Sequence, residues 1–302
     1  LVPLCDLALD IHSGGRTLDL LPFAATHRLA DTDLARRSLD GAHAFGAPNT
    51  LLMAELEGDA LYDTVVETQG KVFISTELGG GGTTTPETVA LAERGVDNVL
   101  RWAGILSGKP CPAATRMLEI PDRAHYLQSE HAGLLEFVVT LGEDVKAGDL
   151  IARIYSLERT GMAPAEYRAP VSGLLIGRRH PAKVAMGDTF AVLAVASAEG
   201  HDLAWAAHPA GRRHRHIFLI DAGDLLEVEG GAFRPIGHIV LEHGHKQRRH
   251  KLVVFFAHHH GSEGGVQRQA FQGQGDLFRV NAVRFRRRLL KHFQHHRDAR
   301  IV

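Results

Sequence analysis

A chain of 302 residues, 44% hydrophobic and 23% charged, has the length for two domains with cores and the composition of a soluble globular protein. It has no run near the roughly 20 uninterrupted apolar residues of a membrane helix and no basic segment followed by an apolar core, which argues against a membrane span and a signal peptide. The net charge of −1 conceals a division: residues 201–302 hold 14 Arg and 3 Lys against 9 acidic residues, and 14 of the 20 His, so residues 1–200 are strongly acidic. Two cysteines, Cys5 and Cys111, cannot build a disulfide framework, and a reducing cytoplasm is the expected compartment.

The chain opens at Leu1 directly in "LVPLCDLALDIH", which reads as the middle of a domain. Residues 3–11 fit a strand buried on both faces that delivers His12 into Ser13, Gly14 and Gly15. Residues 31–45 place Leu34, Leu39, Ala42 and Phe45 on one helical face behind the cap types Asp31 and Thr32. Residues 49–56 and 71–78 read as further strands. In the next helix Thr84 and Glu87 have capping-box spacing, Pro86 suits the first turn, and Val89, Val96, Val99, Leu100 and Ala103 recur at helical intervals. Gly95 is expected to weaken that helix by about 1 kcal/mol relative to Ala. Strands alternating with helices argue for an α/β fold with a partly parallel sheet.

After the Pro/Gly break "SGKPCPA" (107–113) the pattern becomes short strands and tight turns. "VKAGDLIARI" (145–154) returns as "VAMGDTFAVL" (184–193), each a Val-x-x-Gly-Asp turn feeding an apolar strand, as in a small β-barrel or sandwich of two similar hairpins. The intervening "APVSGLLIG" resembles biotinyl and lipoyl carrier domains. Neither Lys146 nor Lys183 has the Met-Lys context of such carriers, so a structural β domain is the preferred reading.

Two residues stand where chemistry is commonly placed. His12 ends an apolar strand ahead of a glycine pair, a position for a ligand or catalytic group; capping a turn or filling a polar pocket is the alternative. Glu77 ends another apolar strand before Gly79 to Gly82 and a helix start. The Lys-Ser/Thr of a phosphate loop is missing there. What remains is a carboxylate at a strand end facing a glycine loop, a position for a general base, against a solvated Glu in a tight turn.

Together "LDIHSGG" and "ISTELGGGG" resemble the succinylglutamate desuccinylase/aspartoacylase family, a branch of the zinc-carboxypeptidase-like hydrolases. The resemblance runs from about Leu1 to Val195 through "SGGRTLDLLPFAATHRL", "KVFISTELGGGGTTTPETVALAERGVDNVLRWAGIL", "YLQSEHAGLLE" and "ERTGMAPAEYRAPVSGLLIGR". Within the family it is similar to the branch that deacetylates N-acetyl-diaminobutyrate in ectoine breakdown. The resemblance implies that His12, in Asp10-Ile11-His12, is the third zinc ligand and that Glu77 is the general base acting on the metal's water. It also implies a small N-acyl amino acid as substrate. The family's His-x-x-Glu pair, its other two ligands, and its Arg-Asn-Arg substrate region do not precede Asp10 in these residues. The expected fold is therefore α/β: a truncated zinc-carboxypeptidase-like domain (1–108), a small all-β barrel or sandwich (113–198) and a tail of doubtful structure (199–302). A non-catalytic remnant or binding module of a split or frameshifted deacylase gene is the alternative.

The tail mixes Arg, His, Gln and Gly without sustained periodicity, as a high-GC gene read out of frame would. His260 and Glu263 imitate the absent ligand pair only if the order is permuted, and His258 to His260 could take up metal adventitiously. "RFRRRLLKHFQHHR" (284–297) would be the helix of a nucleic-acid face, without a recognition fold to support it. The frame reading predicts that the nucleotide sequence near codon 200 continues the family pattern in another frame; if no frame does, that reading fails.

Overall fold

A computed structural model describes residues 2–54 and 62–197, and the backbone of four strands at 216–221, 238–245, 248–255 and 299–301. The first part contains β1 (Leu7–Ile11), β2 (Leu18–Leu20), β3 (Phe23–His27), α1 (Thr32–Phe45), β4 (Asn49–Met53), α2 (Tyr62–Glu67), β5 (Val72–Glu77), α3 (Pro86–Trp102) and β6 (Arg116–Glu119). Five of its strands form one sheet in the order β1-β5-β3-β4-β6. Pairing is parallel between β1 and β5, β3 and β4, and β4 and β6, and antiparallel between β3 and β5.

The apolar residues of β1 and β5 explain their central place. Leu7, Ala8, Leu9, Val72, Phe73 and Ile74 are all buried, as strands covered on both faces require. α1 starts at Asp31, whose carboxylate accepts from the backbone N–H groups of Asp33 and Leu34, and it ends at Gly46 with φ of 75°.

α3 departs from expectation at its start. Thr85, not Thr84, is the N-cap, and Thr88, not Glu87, completes the capping box; each threonine hydroxyl accepts from the other's N–H at 3.2 Å. Pro86 is the reason: its fixed φ suits the first helical position, so the residue immediately before it becomes the cap.

Gly95 is also more than a weak helix position. A Cβ there would lie 2.3 Å from Cζ of Phe45 on α1, and one at Gly41 of α1 would meet Ile74 Cδ1 at 2.5 Å. α1 and α3 thus approach each other and the sheet through two positions without side chains.

The second part is all strand: β7 (Tyr126–Gln128), β8 (Gly133–Phe137), β9 (Asp144–Val145), β10 (Leu150–Tyr155), β11 (Ala165–Arg168), β12 (Gly173–Arg179), β13 (Lys183–Val184) and β14 (Thr189–Ala196). β11-β10-β8-β13 form a four-stranded sheet, while β14 and β12 continue the larger sheet beyond β6, with β7 on β14 and β9 on β12. Side chains from both sheets, among them Leu135, Ile151, Leu175, Phe190 and Leu193, meet in one buried cluster. The sequence repeat is a structural one. Asp149 accepts from Lys146 N–H at 2.8 Å and Asp188 from Ala185 N–H at 2.7 Å, each turn passing through a positive-φ glycine, Gly148 and Gly187.

Strand pairing also continues past residue 200, where no sustained pattern was expected. β15 (His216–Asp221) runs parallel to β1, β16 (His238–His245) antiparallel to β17 (Arg248–Phe255), and β18 (Ala299–Ile301) antiparallel to β16. The short apolar runs "IFLI" and "KLVVF" fall in β15 and β17, long enough for strands without longer periodicity. His258, His259, His260, Glu263 and residues 284–297 lie outside the described residues.

Gly95→Ala is expected to destabilise the chain by about 1–3 kcal/mol through overpacking against Phe45, the opposite of the gain that helix propensity predicts. Chemical denaturation measures it, and a raised midpoint would show that Phe45 repacks freely.

Candidate active site

β1 and β5 are in register from Leu7 opposite Val72 to Leu9 opposite Ile74. Beyond that pair, the Thr76 hydroxyl takes over the role of the ladder: it donates to Asp10 C=O and accepts from His12 N–H, both at 3.0 Å. Leu78 N–H then donates to His12 C=O at 2.9 Å. Asp10, His12 and Glu77 are thereby brought to one end of two adjacent parallel strands, where ligands commonly bind in α/β sheets.

His12 Nδ1 and Asp10 Oδ2 are 3.6 Å apart, an ion-pair separation longer than a good hydrogen bond. Asp10 Oδ1 and Glu77 Oε2 are both buried without a hydrogen-bond partner among the described residues. Burial raises the Asp10 pKa, against the opposing pull of His12, while the Asp63 charge raises it further. Burial likewise pushes Glu77 up to about 7, with His12 lowering and Asp10 raising it. A carboxylate so poised holds or releases a proton near neutral pH, as acid–base work demands.

The glycine loop after Glu77 is interlocked with the loop after His12. Gly14 N–H donates to Gly79 C=O at 2.9 Å, Gly81 N–H to Leu18 C=O at 2.8 Å, and Gly82 N–H to Gly15 C=O at 2.8 Å. Gly79 to Gly82 all have positive φ, and a Cβ at Gly80 would overlap the Leu18 carbonyl. Glycine is dictated here by close backbone approach. The glycine run therefore positions backbone and contains no phosphate-loop lysine.

Sequence reasoning missed a second group beside this one. His27 ends β3 and is 3% exposed; its Nδ1 lies 3.0 Å from both oxygens of Glu67 and its Nε2 3.7 Å from Asp63 Oδ2. These partners sit on α2, which also presents Tyr62, edge-on to Phe73 with centroids 5.5 Å apart and with its hydroxyl buried without a partner. Burial raises the Tyr62 pKa, helped by charges on Cys5 and Asp10. The one available signal was "FAATH", an apolar run ending in His as β1 does.

A metal ion fits this arrangement only in part. A carboxylate behind an imidazole is how metal-ligating histidines are oriented, and the unpartnered Glu77 oxygen suits a group acting beside a metal. Among the described residues, however, no three His, Cys, Asp or Glu side chains converge to hold one. Those residues supply one imidazole and one base, which alone do not fit a resident zinc ion.

Residues 1–103 match the family model described as the Succinylglutamate desuccinylase/Aspartoacylase catalytic domain. Among its relatives is an N-alpha-acetyl-L-2,4-diaminobutyric acid deacetylase of Halomonas elongata, 55% identical over 196 residues, a match covering 64% of this chain and 57% of that protein. The fold is similar to a succinylglutamate desuccinylase from a Silicibacter species (46% identity, TM-score 0.62) over 65% of this chain and 60% of that one. It is similar to the product-bound ectoine utilization protein EutE (DoeB) of Ruegeria pomeroyi (45% identity, TM-score 0.63) over the same shares. The chain thus spans less than two thirds of each of these relatives. Among the described residues no helix is long and apolar enough to cross a membrane.

Glu77 generates a pH prediction. Its folded pKa of about 7 exceeds the ordinary 4.5, so the folded state binds the proton more tightly and Glu77's own contribution to stability is fully present below pH 4.5. That contribution is lost as pH rises from 4.5 through 7, on the order of 3 kcal/mol in all. Denaturation in chelated buffer between pH 4 and 8 should show this fall, and Glu77→Gln should flatten it and be the more stable protein at pH 8. An unchanged slope in the variant would place the titration elsewhere.

Proposed function

We propose that the chain carries part of the machinery of a metal-dependent amidohydrolase that removes an acyl group, acetyl in the preferred case, from an N-acylated small amino acid such as N-acetyl-diaminobutyrate. The observation that carries this reading is the convergence of Asp10, His12 and Glu77 at the common end of β1 and β5. The names of the relatives support the substrate class.

In this reading residues 1–108 form the later portion of the catalytic domain, 113–198 an accompanying β domain of barrel or sandwich type, and 199–302 a basic tail. The site works in a cytoplasmic setting on a small molecule, without membrane or nucleic-acid partners. Hydrolysis needs a C–O bond to form as the C–N bond breaks, with one proton leaving water and one reaching the departing nitrogen. Glu77 is assigned both transfers, since a carboxyl with a pKa near 7 accepts and returns a proton at little cost. Asp10 is assigned the orientation of the His12 ring. Zinc is the cofactor implied by the family, with His12 as its ligand. Among the described residues this end of the sheet offers zinc one imidazole, which does not make a complete site.

That a single imidazole stands at this site among the described residues also favours a second reading, a non-catalytic remnant or binding module. Hydrolysis of N-acetyl-diaminobutyrate, measured for the chain alone and with the portion of the Halomonas elongata relative that it does not span, separates the two. Little or no turnover alone and restored turnover with the added portion is expected, and Glu77→Gln should lower the restored rate by about 10²–10⁴. No turnover in either arrangement would favour the second reading.

The chain alone is expected to bind zinc weakly and below one equivalent. Isothermal titration with zinc checks this, and tight stoichiometric binding that His12→Ala abolishes would contradict it.

A further inference from the structure

The loop behind Glu77 raises a question of support. Four consecutive glycines have the largest conformational freedom a chain can have, yet Gly79 to Gly82 must stay ordered if Glu77 is to keep its place. Their backbone bonds lead to Gly14, Gly15 and Leu18, and so to the loop between β1 and β2.

That loop is itself held from the β-rich part. β2 pairs antiparallel with β12, Leu20 opposite Gly177, Asp19 opposite Arg178 and Leu18 opposite Arg179. Arg178 donates from Nε at 3.1 Å and from Nη2 at 2.9 Å to Asp19 Oδ2. His180 N–H donates to Thr17 C=O at 2.9 Å, and a Cβ on Gly81 would meet the His180 ring at 3.4 Å. β12 thus ends directly on the two interlocked loops.

We propose that Asp19 and Arg178 are a positioning pair, which fixes the glycine loop behind Glu77 from the β-rich part of the chain. The pair is the one charged side-chain contact among these bonds, cross-strand and directly opposed, so it sets the register in which β2 presents the Leu18 carbonyl to Gly81. The β-rich part then acts on the candidate site through the backbone that it holds in place. The proposal rests on Glu77 being the working carboxylate, and its test does not depend on turnover.

The experiment is hydrogen exchange, followed by mass spectrometry, on the full chain. Arg178→Met should raise exchange in residues 78–85 about three- to tenfold, the span set by a charged hydrogen bond at a half-exposed site. β5 amides at 72–76 should be unchanged, and Arg178→Lys, which keeps the charge and one donor, should restore part of the protection. Unchanged exchange at 78–85 would overturn the proposal, as would a rise shared equally with β5 or an Arg178→Lys variant no better than Arg178→Met. The expected exchange pattern in the variants, together with no hydrolysis by the wild-type chain even when the added portion of the relative is supplied, would count against the reading of Glu77 and leave the pair's role standing.

Discussion

The hydroxyl of Thr76 is the contact on which the candidate site depends. β1 and β5 pair backbone to backbone only as far as Leu9 and Ile74, so on the β5 side the ladder ends before Asp10 and His12. Thr76 substitutes a side chain for the ladder, satisfying Asp10 C=O and His12 N–H while the two strand ends turn toward their glycine loops. Being fully buried, this hydroxyl has no water to replace either bond, so both backbone groups would be left unsatisfied without it. The interlocked loops and the place of Glu77 both begin at that junction.

The electrostatics of the site run against stability. Two carboxylate oxygens, on Asp10 and Glu77, are buried without a partner among the described residues, and the Tyr62 hydroxyl beside them is in the same condition. Native proteins leave few such groups, and those that remain call for an explanation. Clustered carboxylates of this kind are where acid–base chemistry is commonly placed. The His27–Glu67–Asp63 cluster shows the contrasting solution, a buried imidazole with a carboxylate on each side. It anchors α2 against the end of β3, next to the site rather than within it.

Much of this was legible in the sequence where burial and punctuation coincide. An apolar run ending in His12 or Glu77 and followed by glycines announces a strand end, because only a strand covered on both faces reads that way and only glycine tolerates the turns beyond it. The repeated Val-x-x-Gly-Asp turn was equally readable, its Asp closing the same turn twice. What escaped is tertiary. Gly95 looks like a defect in α3 until Phe45 is placed against it, and Thr84 looks like a cap until Pro86 fixes the first helical residue. β2 is three residues long and exists because β12 lies opposite, so no local pattern could reveal it. Thr76 carries no motif at all.

The measurement that tests this account most directly compares Thr76→Val with Thr76→Ser by chemical denaturation. Valine keeps the shape and removes both hydrogen bonds, while serine keeps the hydroxyl and loses a methyl group. The account predicts that Thr76→Val loses about 2–4 kcal/mol, because two buried backbone groups go unsatisfied, and that Thr76→Ser retains most of the wild-type stability. A Thr76→Val protein as stable as wild type, or a Thr76→Ser protein as damaged as Thr76→Val, would show that the strand ends are held by something else.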